Sequence, residues 1–78
     1  MTRTDLATKI AATINDDGEV AAKTWAKGEA VRVYVSRELS RGRRQDMGYI
    51  DIAESGEVSV HVDRRGAYIE SLVKTATA

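Results

Sequence analysis

Residues 30–37, AVRVYVSR, alternate apolar and polar side chains: Val31, Val33 and Val35 fall on one side, Arg32, Tyr34 and Ser36 on the other. Successive side chains of a strand point to opposite faces, so a period of two describes a strand with one face buried. The same pattern returns at Ile50 and Ile52, and again at Val58, Val60 and Val62. The residues between them, Tyr49, Asp51, Ser59 and His61, join Arg32, Tyr34 and Ser36 on a second face that is aromatic and charged.

Working outward, Lys27-Gly28-Glu29 is a short turn that joins this strand to residues 19–26 as a hairpin. That earlier segment alternates weakly, with Val20, Ala22 and Thr24 on one face and Ala21, Lys23 and Trp25 on the other. A loop is expected over residues 39–46, then a third strand over 47–53. Glu54-Ser55-Gly56-Glu57 supplies turn chemistry before a fourth strand over 58–62. Gly48, inside the third strand, marks a bulge or a place where another group packs closely.

Both ends of the chain switch to helical spacing. Leu6, Ile10 and Ile14 fall four apart, backed by Ala7, Ala11 and Ala12, after Thr2 or Thr4-Asp5 as cap. Asn15-Asp16-Asp17-Gly18 stops that helix. Asp63 is the expected N-cap of a closing helix with Ala67, Tyr68, Ile69, Leu72, Val73 and Ala76 as its apolar stripe, frayed over residues 75–78. The predicted fold is an α+β two-layer sandwich in the order α-β-β-β-β-α: a four-stranded antiparallel meander with both helices on one face. Its valine and isoleucine rows are buried against the helices and its other face is open.

At 78 residues the chain is read as a single domain, near the size at which a core only just outweighs conformational entropy, so a homodimer is expected. Apolar runs are no longer than three residues, and the start Met1-Thr2-Arg3-Thr4-Asp5 has no apolar stretch behind it. A signal peptide or membrane span is therefore not expected, and the cytoplasm is the default location. Lys plus Arg equals Asp plus Glu at 12 each, so no global field draws the chain to nucleic acid. Locally the charge is uneven. Residues 36–45, SRELSRGRRQ, concentrate Arg37, Arg41, Arg43 and Arg44, whereas residues 46–63 carry Asp46, Asp51, Glu54, Glu57 and Asp63 without Lys or Arg.

The open face would present Lys23, Trp25, Arg32, Tyr34, Tyr49 and His61 together. Rings stack on bases or on a partner's apolar side chains, and guanidinium groups answer phosphate or carboxylate. The bland alternative is that Trp25 and a tyrosine wrap the edge of a core that has no Phe to fill it. The arginine segment, with Gly42 allowing close backbone approach, is the second candidate site, against the alternative of a solvated loop. The acidic strand pair that follows could receive that segment from another copy. Catalytic and metal-binding groups are sparse: His61 is the only His and there is no Cys, so no enzyme, metal or cofactor is expected.

The helix–strands–helix order, together with Arg64-Arg65 before the last helix, resembles the double-stranded-RNA-binding domain in topology. That family has three strands and a lysine-rich continuation of its basic cluster, both absent from this pattern. Small, cysteine-free, charge-patterned domains are also similar in type to phage and mobile-element proteins that block a host complex, anti-CRISPR proteins among them. The expectation is a non-enzymatic protein-binding module of that inhibitor type, acting through Trp25, Arg32, Tyr34, Arg37, Arg41, Arg43, Arg44, Tyr49 and His61. A small nucleic-acid-binding domain using the same residues is the alternative, disfavoured by a pI near 6.6.

Overall fold

In the computed structural model, which describes residues 2–78, the alternating segments pair into one antiparallel sheet in the order β1-β2-β3-β4. Its strands are β1 (Ala21–Lys27), β2 (Ala30–Glu38), β3 (Arg44–Ile52) and β4 (Val58–Val62). Helices α1 (Arg3–Asp17) and α2 (Gly66–Thr77) cover one face, giving the α-β-β-β-β-α order expected from the pattern. No helix among the described residues is long and apolar enough to cross a membrane.

Local chemistry sets the ends of α1. Thr2 and Asp5 form a capping box: the Thr2 hydroxyl accepts from the Asp5 N–H at 3.1 Å, and the Asp5 carboxylate accepts from the Thr2 N–H at 3.2 Å. Gly18, at φ 82°, closes the helix by donating its N–H to the Asn15 carbonyl. Arg3 then ties this end to the sheet through the carbonyls of Glu29 at 2.6 Å and Ile52 at 3.4 Å.

The start of α2 differs from expectation. Asp63 does not cap it: its N–H donates to the Met47 carbonyl, so the chain is still bound to β3 at that point. Arg65, in the left-handed region at φ 56°, makes the turn into the helix without a side-chain cap. The other end does not fray from Thr75 either. The helix runs to Thr77, because Ala76 is buried and the Thr77 hydroxyl holds the Val73 carbonyl.

The core lies between the layers. Ile10 and Ile14 of α1 and Ile69 and Val73 of α2 meet Val31, Val33, Val35, Ile50 and Ile52 of the central strands. Cover is incomplete at the edges. Val58, Val60 and Val62 of β4 are half-buried, not sealed as the pattern implied, and Thr24 and Ala26 of β1 are exposed. α1 packs on β1 and β2 and α2 on β4, and the outer strands have a neighbouring strand on one side only.

The residues expected to form a long loop over 39–46 are mostly ordered. β3 begins at Arg44, and the connection is a tight turn around Ser40–Gly42 in which Arg41 takes a left-handed conformation at φ 59°. Register explains the extension: Arg37 pairs with Gln45 and Glu38 with Arg44, past a bulge between Val35 and Ser36. Val35 stands opposite Gly48 and Ser36 opposite Asp46, which leaves Met47 as the extra residue. Strict alternation from Tyr49 would turn Met47 outward; the bulge drives it into the core, where it is 2% exposed.

Asn15 performs a second task at the β1 edge. Its Oδ1 accepts from the Ala22 N–H at 2.9 Å and its Nδ2 donates to the Ala22 carbonyl at 3.0 Å, as a neighbouring strand would. Asn15→Ala is expected to lower stability by about 1 kcal/mol, the net worth of such contacts at a partly solvated site. A urea midpoint equal to wild type would show that this clamp contributes nothing.

Candidate binding face

Antiparallel register carries the open-face residues into two rows across the strands. Lys23, Tyr34, Tyr49 and His61 stand opposite one another in turn, and Trp25, Arg32, Asp51 and Ser59 form the row beside them. The face that sequence parity implied is thus assembled from all four strands.

The rings make a continuous series. Trp25 meets Tyr34 edge to face at 5.9 Å and 84°, Tyr34 lies 6.0 Å from Tyr49, and Tyr49 lies 5.0 Å from His61 at 30°. These are the separations at which aromatic pairs attract through their quadrupoles. Arg32 sits among them, its Cζ 4.6 Å from the Tyr49 ring centre and 5.9 Å from that of Trp25. Its Nε donates to Asp51 at 3.2 Å and its Nη1 approaches the Tyr34 hydroxyl at 3.5 Å. Bonds to Tyr34 and Asp51 hold the guanidinium above its already high usual pKa, so it stays charged.

These contacts fix conformation without hiding the surface. Trp25 is 38% exposed and Tyr34 40%, while Tyr49 is half-buried by its neighbours on the same face, with no helix above it. The alternative in which these rings wrap the core edge does not apply, because the core fills with Ile, Val and Met from the other side. The rings are thus ordered by contacts with one another while Trp25 and Tyr34 stay exposed.

At one end of the face, Ala21, Lys23, Tyr34, Ser36, Arg44 and Asp46 line a depression of about 430 Å³. Arg44 donates weakly to the Ser36 hydroxyl across it, at 3.4 Å. Asp46 joins the face opposite Ser36, although the sequence pattern assigns it to the loop before β3. The signal was present in Gly48, whose bulge resets the parity of the residues before it.

The arginine segment does not act as one unit. Arg44 belongs to the open face beside Ser36 and Asp46, but Arg37 shares the parity of Val35 and points to the other face, where its Nε bonds Gln45 at 2.8 Å. Arg41 and Arg43 are exposed at the β2–β3 turn. Of the basic pair before α2, Arg65 is used internally: it pairs with Glu19 at 2.5 Å and lies over the Tyr68 ring at 4.3 Å. Tyr68 in turn bonds Asp17, fastening α2 to the end of α1. Arg65 stays exposed, with its guanidinium engaged by Glu19 and the Tyr68 ring. No family model, no curated protein and no solved structure matches this chain.

Proposed function

We propose that this protein is a non-enzymatic protein-binding module whose contact surface is the open face of the sheet. The observation that carries the reading is the ring series Trp25–Tyr34–Tyr49–His61 with Arg32 held among it. Aromatic and arginine side chains dominate the energetics of protein interfaces, and here they are ordered and contiguous, with Trp25, Tyr34 and His61 exposed. Arg44, Arg41 and Arg43, at the same end of the sheet or beyond it, would meet acidic groups on the partner's rim. A small domain that occupies a surface of a larger host assembly, as phage and mobile-element inhibitors do, fits this surface.

The test is capture of partners from extract of the native host by the wild-type protein and by the Trp25→Ala/Tyr34→Ala variant. Loss of at least about tenfold in recovered partner is expected, since each anchor of this kind contributes 2 kcal/mol or more. Equal recovery by a folded variant would overturn the reading. The same rings, with Lys23 and Arg44 near Tyr34, support a second reading in which bases stack on the sheet. Binding of short single- and double-stranded oligonucleotides at low salt separates the two. The protein-binding reading expects none, and tight binding lost on adding salt would replace it.

A further inference from the structure

The two edges of the sheet are not equivalent. Residues of an antiparallel strand direct their N–H and C=O alternately to the two sides. On β1 the outward set is Ala22, Thr24 and Ala26, as the Asn15 clamp on Ala22 reveals. That edge is guarded by Asn15 and by Lys23 and Lys27 along the strand, both common defences against strand addition.

On β4 the Asp63 N–H reaches the Met47 carbonyl and the Glu57 carbonyl accepts from the Ala53 N–H. Residues of that parity, Ser59 and His61 included, therefore bond β3, and the backbone groups of Val58, Val60 and Val62 point away from the sheet. Beside this edge is a groove of about 370 Å³ lined by Val58, Val60, Glu70, Val73, Lys74 and Thr77. Tyr68 of α2 bonds Asp17 of α1, so Glu70 and Lys74 lie on the flank of α2 that overhangs the β4 edge.

We infer that a second copy of this chain fills the groove: two β4 strands pair antiparallel about Val60 and form an eight-stranded sheet. This interface is separate from the open face and does not depend on its proposed role. Two observations select a copy over any other occupant. Val58-Ser59-Val60-His61-Val62 has a valine at each outward position, so a two-fold through Val60 sets Val60 against Val60 and Val58 against Val62 of the second copy. Shifting the register in either direction breaks one of those pairings. The same two-fold runs the two α2 helices antiparallel, which brings Glu70 of each towards Lys74 of the other. The Glu70 and Lys74 charges are thus self-complementary, as an isologous interface requires. Glu57 and Asp63 meet at the ends of the paired strands, with exposed Arg64 next to Asp63 to offset them.

Sedimentation of the purified chain over a range of concentrations tests this. A reversible dimer is expected; a monomer throughout would overturn it. Glu70→Lys, which the two-fold turns into two like-charge juxtapositions, should raise the dissociation constant at least about tenfold, and Glu70→Lys/Lys74→Glu should restore it. Insensitivity to the single reversal, or failure of the double one to recover, would count against this packing. Since the chain has no cysteine, Val60→Cys gives an independent readout. Mild oxidation should link it into dimers, because directly opposed strand residues lie within the Cα separation a disulfide spans, whereas Thr24→Cys on the β1 edge should remain monomeric in denaturing gels. Cross-linking through Thr24 but not Val60 would place the contact at the wrong edge and reject the inference.

Discussion

Gly48→Ala is expected to cost this domain about 3 kcal/mol or more, enough to unfold a large fraction of a protein this small. Gly48 has φ 138°, a backbone region that residues with a side chain avoid. A methyl group there would also collide with β4, meeting the Val62 Cα at 2.8 Å and the His61 carbonyl oxygen more closely still. Both obstacles are backbone of a paired strand, so relief would require β4 to move away from β3. The bulge that places Met47 in the core would be lost with it. A urea titration followed by far-ultraviolet circular dichroism measures the effect, and a midpoint near wild type would contradict the conformation described at this position.

Ile69→Ala is expected to destabilise by about 2–5 kcal/mol, the usual range for emptying a fully buried branched site. Ile69 is 0% exposed and, with Val73 and Ala76, brings α2 into the core shared with α1 and the central strands. Trp25→Ala removes a larger side chain at much smaller cost to stability, because Trp25 is more than a third exposed and packs only on the open face. Thermal or urea unfolding of the two variants side by side compares the two faces directly. If Trp25→Ala were the more damaging, the rings would be serving the core, and their availability to a partner would be in doubt.

The pattern of Val31, Val33 and Val35 is sufficient to orient β2, and with it the residues that register sets opposite as far as the bulge at Val35/Ser36. Trp25, in the weakest strand by pattern, was placed on the correct face because alternation from Ala21 and Lys23 holds through β1. Asp46 and Met47 could not be placed this way. A bulge changes parity without changing composition, and only pairing against Val35 and Ser36 locates it. Arg37 and Arg44 are close in sequence and similar in chemistry, yet strand pairing sends them to opposite faces.

Periodicity is a local property, so the residues alone specified the element order and the inward valine and isoleucine rows; they offered Thr2 or Thr4-Asp5 as the cap of α1, and the structure selects Thr2 with Asp5. Where those rows are fully covered, which arginines share a surface, and which sheet edge remains open depend on contacts between segments far apart in the chain. Asn15 closing one edge while α2 overhangs the other is such a case: neither residue spacing nor composition carries it, because it arises from where two helices at opposite ends of the chain settle on one sheet.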